Sequence, residues 1–191
     1  MCCGTKRVVE IPCPSECAYL ATAREHPAAA VVRRNERDVA LLVQCVRDLN
    51  DRQSRIFVLV SRFLLRYEPP ELQPLVDDDV AEAAAALAAT FETAARGVIY
   101  AHRSASLSAN RLAGALKQML ADEGKQTSSA FERDAAIVLR RIEAAARQAR
   151  TAEPPNRRAL VDILGRVIGP PENEAARVQP TRLDAPRLIV V

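Results

Sequence analysis

Between Val80 and Ala101 the apolar residues Val80, Ala84, Leu87, Phe91, Ala94, Val98 and Ala101 recur three and four positions apart, the repeat of one helix face. The pattern predicts a helix over Val80–Arg103. Most of that face is alanine, and small side chains let a second helix approach towards the lower end of the usual ~8–10 Å interaxial range. The segment therefore reads as the inner strut of a helical bundle. Upstream, Val32, Val39, Leu42, Val46, Leu49, Ile56, Val60, Phe63 and Tyr67 follow a heptad-like pattern that ends at Pro69-Pro70. A single helix over 28–66, roughly 60 Å long at ~1.5 Å per residue, is the expectation, either as a plain bundle helix or, as the alternative, as a coiled coil through which a homodimer is possible. Gln53 falls on a core position of this pattern, which admits either a buried polar layer or a break into two helices.

The linker Glu68–Asp79 is punctuated by prolines and closes with Asp77-Asp78-Asp79. Three carboxylates at a helix start meet the positive end of the helix dipole, worth ~0.3–1 kcal/mol each. Ser104 or Ser106 can cap a following helix with Leu107, Leu112, Leu116, Met119 and Leu120 inward and Gly124 as its stop. Ser129 and Glu132 form a capping box for a helix to about Arg150, whose buried face is Phe131, Ala135, Val138, Ile142, Ala145 and Ala149. After Pro154-Pro155, Asn156 is positioned to cap a last helix with Leu160, Ile163, Leu164 and Val167 inward. The fold expected is all-α: an antiparallel bundle of about five to six helices over 27–169. A Cys-rich arm (1–26) precedes it and an extended tail (170–191), ending in the apolar run Leu188-Ile189-Val190-Val191, follows.

Composition sharpens this picture. Hydrophobic residues make up 49% of the 191 positions, yet aromatics are only 4% and Trp is absent. Alanine, leucine and valine must then fill the interior, as in closely packed helices rather than sandwiches or barrels. The net charge of +3 is too small to argue for or against nucleic acid by itself. No run of ~18 apolar residues exists and the amino terminus lacks a signal-peptide core, so no membrane partner is expected and the cytoplasm is the default compartment.

Four of the five cysteines, Cys2, Cys3, Cys13 and Cys17, crowd into the first seventeen residues. In a reducing compartment such clusters bind metal more often than they form disulfides. Pro14 and Glu16 suit the first turn of a helix that would place Cys13 at its cap and Cys17 one turn on. The Cys3-Gly4 step resembles the turn of a zinc knuckle, which implies a structural zinc on these cysteines. Cys2 and Cys3 are adjacent rather than two to four residues apart, so Cys2, His26 or Cys45 competes for the fourth ligand position. An iron–sulfur cluster and a thiol redox role are the alternatives.

Two further constellations carry chemistry. Arg133, Arg140 and Arg147 recur every seven residues, joined by Arg141 and Arg150, and form a basic stripe that could track RNA phosphates. Glu143 can neutralise part of it through Arg147 at i,i+4, and no exposed aromatics interleave to stack bases. Arg96 and His102 make an R-x5-H arrangement that resembles the catalytic motif of HEPN-type ribonucleases. That resemblance implies a dimeric endoribonuclease in which Arg96 and His102 of two protomers converge on a scissile phosphate. In those families a polar residue commonly follows the arginine, where this chain has Gly97. Helical spacing alternatively puts His102 on the core edge and pairs Arg96 with Glu92. Gly-rich phosphate loops, a nucleophile elbow and the Glu-x-x-His pairs of di-iron centres are absent from the sequence. The leading expectation is a non-enzymatic, zinc-stabilised interaction protein, an adaptor or small subunit of a bacterial-type complex. An endoribonuclease and an RNA-binding helical protein are the alternatives.

Overall fold

The computed structural model describes residues 29–70, 73–124, 130–152 and 156–169. Among these it has six helices and no strand: α1 Ala29–Val46, α2 Asp51–Arg66, α3 Asp77–Ala94, α4 Leu107–Gly124, α5 Ala130–Ala152 and α6 Ala159–Val167. Internal contacts divide the chain into two units, Met1–Ala40 and Leu41–Val191, with the boundary inside α1. In the first unit residues 29–40 are described and are helical throughout. The second is a helical bundle that contains the core. The cysteine arm, including Cys2, Cys3, Cys13, Cys17 and His26, and the apolar tail lie outside the described residues.

The most extensive packing is between α3 and α5, followed by α3 with α4 and α2 with α5. The reason is visible in the buried faces. Ala83, Ala84, Leu87 and Ala88 of α3 and Ala135, Val138, Leu139, Ile142, Ala145, Ala146 and Ala149 of α5 are all nearly inaccessible. With alanines on both helices the contact is dense, and few of its side chains are large. Leu112, Leu116 and Leu120 of α4, Leu160, Ile163 and Leu164 of α6, Ile56, Phe57, Val60 and Leu64 of α2 and Leu41 and Leu42 of α1 join the same core. Leu107 and Val167, both expected inward, are exposed, Leu107 as the first residue of α4 and Val167 as the last of α6.

The expected continuous 28–66 helix is two helices. Asn50 breaks it by capping α2: its Oδ1 accepts from the Gln53 amide at 2.9 Å while Gln53 Oε1 accepts from the Asn50 amide at 3.1 Å, a reciprocal capping box. Gln53 is nonetheless buried, and its Nε2 donates to Asp134 Oδ1 of α5 at 2.7 Å, with Arg52 paired to the same carboxylate. Both outcomes that Gln53 allowed are therefore realised together, a break and a buried polar link. Val32 and Val39, heptad positions of the single-helix reading, remain exposed.

The three aspartates form the first turn of α3, as their charge suits, but each also has its own partner. Asp78 pairs with Arg150, and Asp79 Oδ1 accepts from the Ser106 hydroxyl at 3.0 Å. Asp77 is only 1% exposed and reaches across to α6. Its carboxylate accepts from the Leu160 amide at 2.9 Å and the Val161 amide at 3.4 Å, and its own amide donates to Arg157 O at 2.8 Å. Asp77 thus caps a helix that begins 82 residues later in the chain. Asn156, the expected cap, braces the turn before α6 instead, accepting from the Arg158 amide and donating to Asp162, each at 2.9 Å.

Burial pushes the Asp77 carboxyl from 3.8 up to about 6, against the two α6 amides that favour its charged form and with Asp162 and Asp78 adding to the rise. Because the folded-state value lies above the unfolded one, the stabilisation from the protonated form is complete below about pH 4 and lost as pH rises through about 6. Denaturant unfolding of wild type and Asp77→Asn across this range should show the wild type losing on the order of 1–3 kcal/mol relative to the variant between pH 4 and pH 7. A pH-independent difference contradicts this account.

Candidate functional site

The segment that joins α3 to α4 holds the Arg96 and His102 pair, and the structure places it differently from the helical expectation. α3 ends at Ala94 rather than running to Arg103. Gly97 adopts φ 82°, its amide bonds to Ala94 O at 2.8 Å, and the Val98 amide bonds back to Thr93 O at 3.2 Å. This paired closure with a left-handed glycine is a Schellman stop, which residues bearing a Cβ resist. His102 consequently does not lie on the core stripe of α3. It is exposed, in the loop, with Arg96 exposed just beyond the helix.

Two threonines hold the loop in place. Thr90 Oγ1 donates to Ala86 O at 2.9 Å and Thr93 Oγ1 to Ala89 O at 2.6 Å, so each hydroxyl proton is committed to the carbonyl four residues back. What each offers outward is a lone pair. The His102 amide donates to Thr90 Oγ1 at 3.0 Å, and His102 Nε2 lies 3.0 Å from Thr93 Oγ1, which can only accept. With the threonine proton directed at Ala89 O, this contact is a hydrogen bond when the imidazole carries its proton on Nε2. Tyr100 packs edge-on against the imidazole, with centroids 4.8 Å apart. At the far end Ser104 bonds to Glu82. Ser106 accepts from the Ala109 amide at 3.2 Å to cap α4, and Asn110 bridges Ser104 and Ser106.

The loop is thus fixed at both ends, and between them it presents apolar side chains outward: Val98 is 54% exposed, Ile99 fully so and Tyr100 59%. Sequence periodicity assigned Val98 to the core because the spacing stays helical through Gly97. The glycine itself was the signal that the helix stops there.

Glu92 and the arginines form a separate network. Arg140 grips Glu92 with two 2.9 Å bonds, Nε to Oε1 and Nη2 to Oε2, and its Nη1 reaches Glu143 at 2.9 Å. Glu143 also receives Arg147 at 2.7 Å. The forked contact holds the Glu92 carboxyl below its usual value and strengthens the charge on Arg140. Glu92 therefore forms its ion pair with Arg140 across to α5, not with Arg96 just past the end of its own helix. Arg141 lies 3.6 Å from Asp48, and Arg150 is paired with Asp78. Of the basic stripe, Arg133 alone makes no ion pair among the described residues, so most of the stripe is internally neutralised rather than presented to phosphates.

Cys45 is buried, its thiol donating to Leu41 O at 3.2 Å and its pKa raised chiefly by desolvation, the behaviour of a small core residue. Among the described residues no group of three or more His, Cys, Asp and Glu side chains could hold a metal ion. No helix among them is long and apolar enough to cross a membrane. No protein family, curated protein or solved structure matches the chain.

The added Cβ in Gly97→Ala meets nothing within 4 Å, so its cost is conformational alone, about 1–2 kcal/mol. Hydrogen exchange should then accelerate at Val98–Arg103 in Gly97→Ala and in Thr90→Val/Thr93→Val, while the α5 amides keep their protection. Unchanged loop exchange in both variants contradicts the latch.

Proposed function

We propose that the chain is a non-enzymatic helical interaction protein whose amino-terminal cysteines, Cys2, Cys3, Cys13 and Cys17, hold a structural zinc. The observation that carries the interaction reading is on α1. Val32, Val39 and Val43 share one helical stripe, and all three are more than one-third exposed. An amphipathic helix that leaves its valines in water is built to cover them with something else. A second copy of this chain is the simplest occupant, since one helix stripe can pair with its own symmetry mate. The internally paired arginines and the buried, inert Cys45 agree with a scaffold rather than a catalyst.

The zinc reading rests on the density of cysteines, and metal analysis of protein purified under reducing conditions checks it. About one zinc per chain is expected, and less than about half an equivalent of zinc or iron removes the metal from the account. For α1, sedimentation equilibrium should report a dimer for wild type and a monomer for Val39→Glu/Val43→Glu with unchanged helix content. A wild-type monomer at every concentration refutes self-association through this face.

The endoribonuclease reading draws on one observation, the exposure of both Arg96 and His102 on a single loop with His102 Nδ1 free of any described partner. Wild type should then cleave RNA and His102→Ala should not. Equal activity, or none in either, discards this reading.

A further inference from the structure

The α3–α4 loop is unlike the α1 face: it is a protruding apolar tip set in positive charge. From Thr93 to Ala121 the sequence contains no Asp or Glu, while Arg96, Arg103, Arg111 and Lys117 fall within that span. The carboxylates bonded to the loop come from α3, Glu82 accepting from Ser104 and Asp79 from Ser106 at its α4 end, while Glu92 beside the other end is paired with Arg140. Beside the loop, a groove of about 480 Å³ opens between α3 and α5. Ala95, Ala136 and Ile137 form its apolar part, and Arg96 and Arg133 stand at it without an ion pair among the described residues.

From this arrangement we propose that the loop is a docking site for an anionic phospholipid surface. Val98, Ile99 and Tyr100 enter the boundary between headgroups and acyl chains, and lipid phosphates sit against Arg96 and Arg133. Three features favour this occupant. The tip is aliphatic at its most exposed point, Ile99, which suits hydrocarbon and offers nothing to a nucleobase. Tyr100, apolar in body and polar at its end, belongs at the level where water meets lipid. The charge is net positive, with Arg96, Arg133, Arg140 and Arg141 against Glu92 at the groove, which opposes pairing with a second copy through this loop and attracts an anionic sheet. The latch on Thr90 and Thr93 holds the tip extended before contact, so little ordering is left to binding. Surface contact of this kind needs no spanning helix.

Flotation of the full chain with phosphatidylcholine vesicles, with and without phosphatidylserine, tests the proposal. Wild type is expected to float with the phosphatidylserine vesicles. Ile99→Asn should lower the bound fraction roughly tenfold or more, through loss of an inserted side chain. Arg96→Gln/Arg133→Gln should also lower it roughly tenfold or more, through loss of two interfacial charges. Both sites are exposed, and circular dichroism melts confirm that the variants fold. Absence of wild-type flotation overturns the proposal, as does flotation insensitive to Ile99→Asn, which reports charge adsorption alone. A single-stranded RNA arm separates the other polyanion: binding to RNA that falls with Arg96→Gln/Arg133→Gln, with no binding to vesicles, overturns the lipid assignment in favour of nucleic acid.

Discussion

The contact between α3 and α5 is the constraint on which the rest of the bundle depends. Both helices turn alanine-rich faces to each other, and the interior has no tryptophan and few aromatic rings to fill gaps. Side chains this small bury little apolar area each, so stability must come from closeness and number of contacts rather than from a few large anchors. A close approach has a further effect, because it brings the outer edges of the two helices within reach of polar side chains. The Glu92–Arg140–Glu143–Arg147 chain spans that edge, and Arg150 crosses to Asp78 at the other end of α3. The alanine seam thus decides which arginines are occupied and which, such as Arg133, are left outward.

Periodicity made the helical class readable and located most of the buried faces. Ala135, Val138, Ile142, Ala145 and Ala149 of α5, and Leu112, Leu116 and Leu120 of α4, were legible because each helix has one wet side and one dry side. What the pattern missed were interruptions. A heptad count passes through Asn50 and Gly97 without registering that one is a cap and the other a left-handed stop, since neither changes the spacing of apolar residues around it. Stripe membership also misjudged Leu107, Val167, Val32 and Val39, which have the right phase but are exposed.

The candidate site was legible in its residues and not in its geometry. Arg96 and His102 stood out, but their helical placement put the imidazole at the core edge, whereas the chain leaves the helix and returns the ring to α3 from outside. That return depends on Thr90 and Thr93, which look in the sequence like ordinary interruptions of an alanine helix. Their hydroxyls serve the loop because their protons are already spent on the preceding turn, a directional effect that composition does not reveal. Likewise the aspartate triplet was read as one electrostatic unit, while tertiary contacts gave its members three different tasks.

The Asp77 cap bears on how the chain assembles. α6 has nine residues, too few to hold helical form in water by itself, and the acceptor for its leading amides is supplied from the start of α3. During synthesis the ribosome releases that aspartate well before Leu160 and Val161, so it waits as a hydrated anion until the carboxy-terminal portion emerges. Closure of the last helix is then a long-range docking event, and the bundle stays open on that flank until the aspartate and the two amides meet.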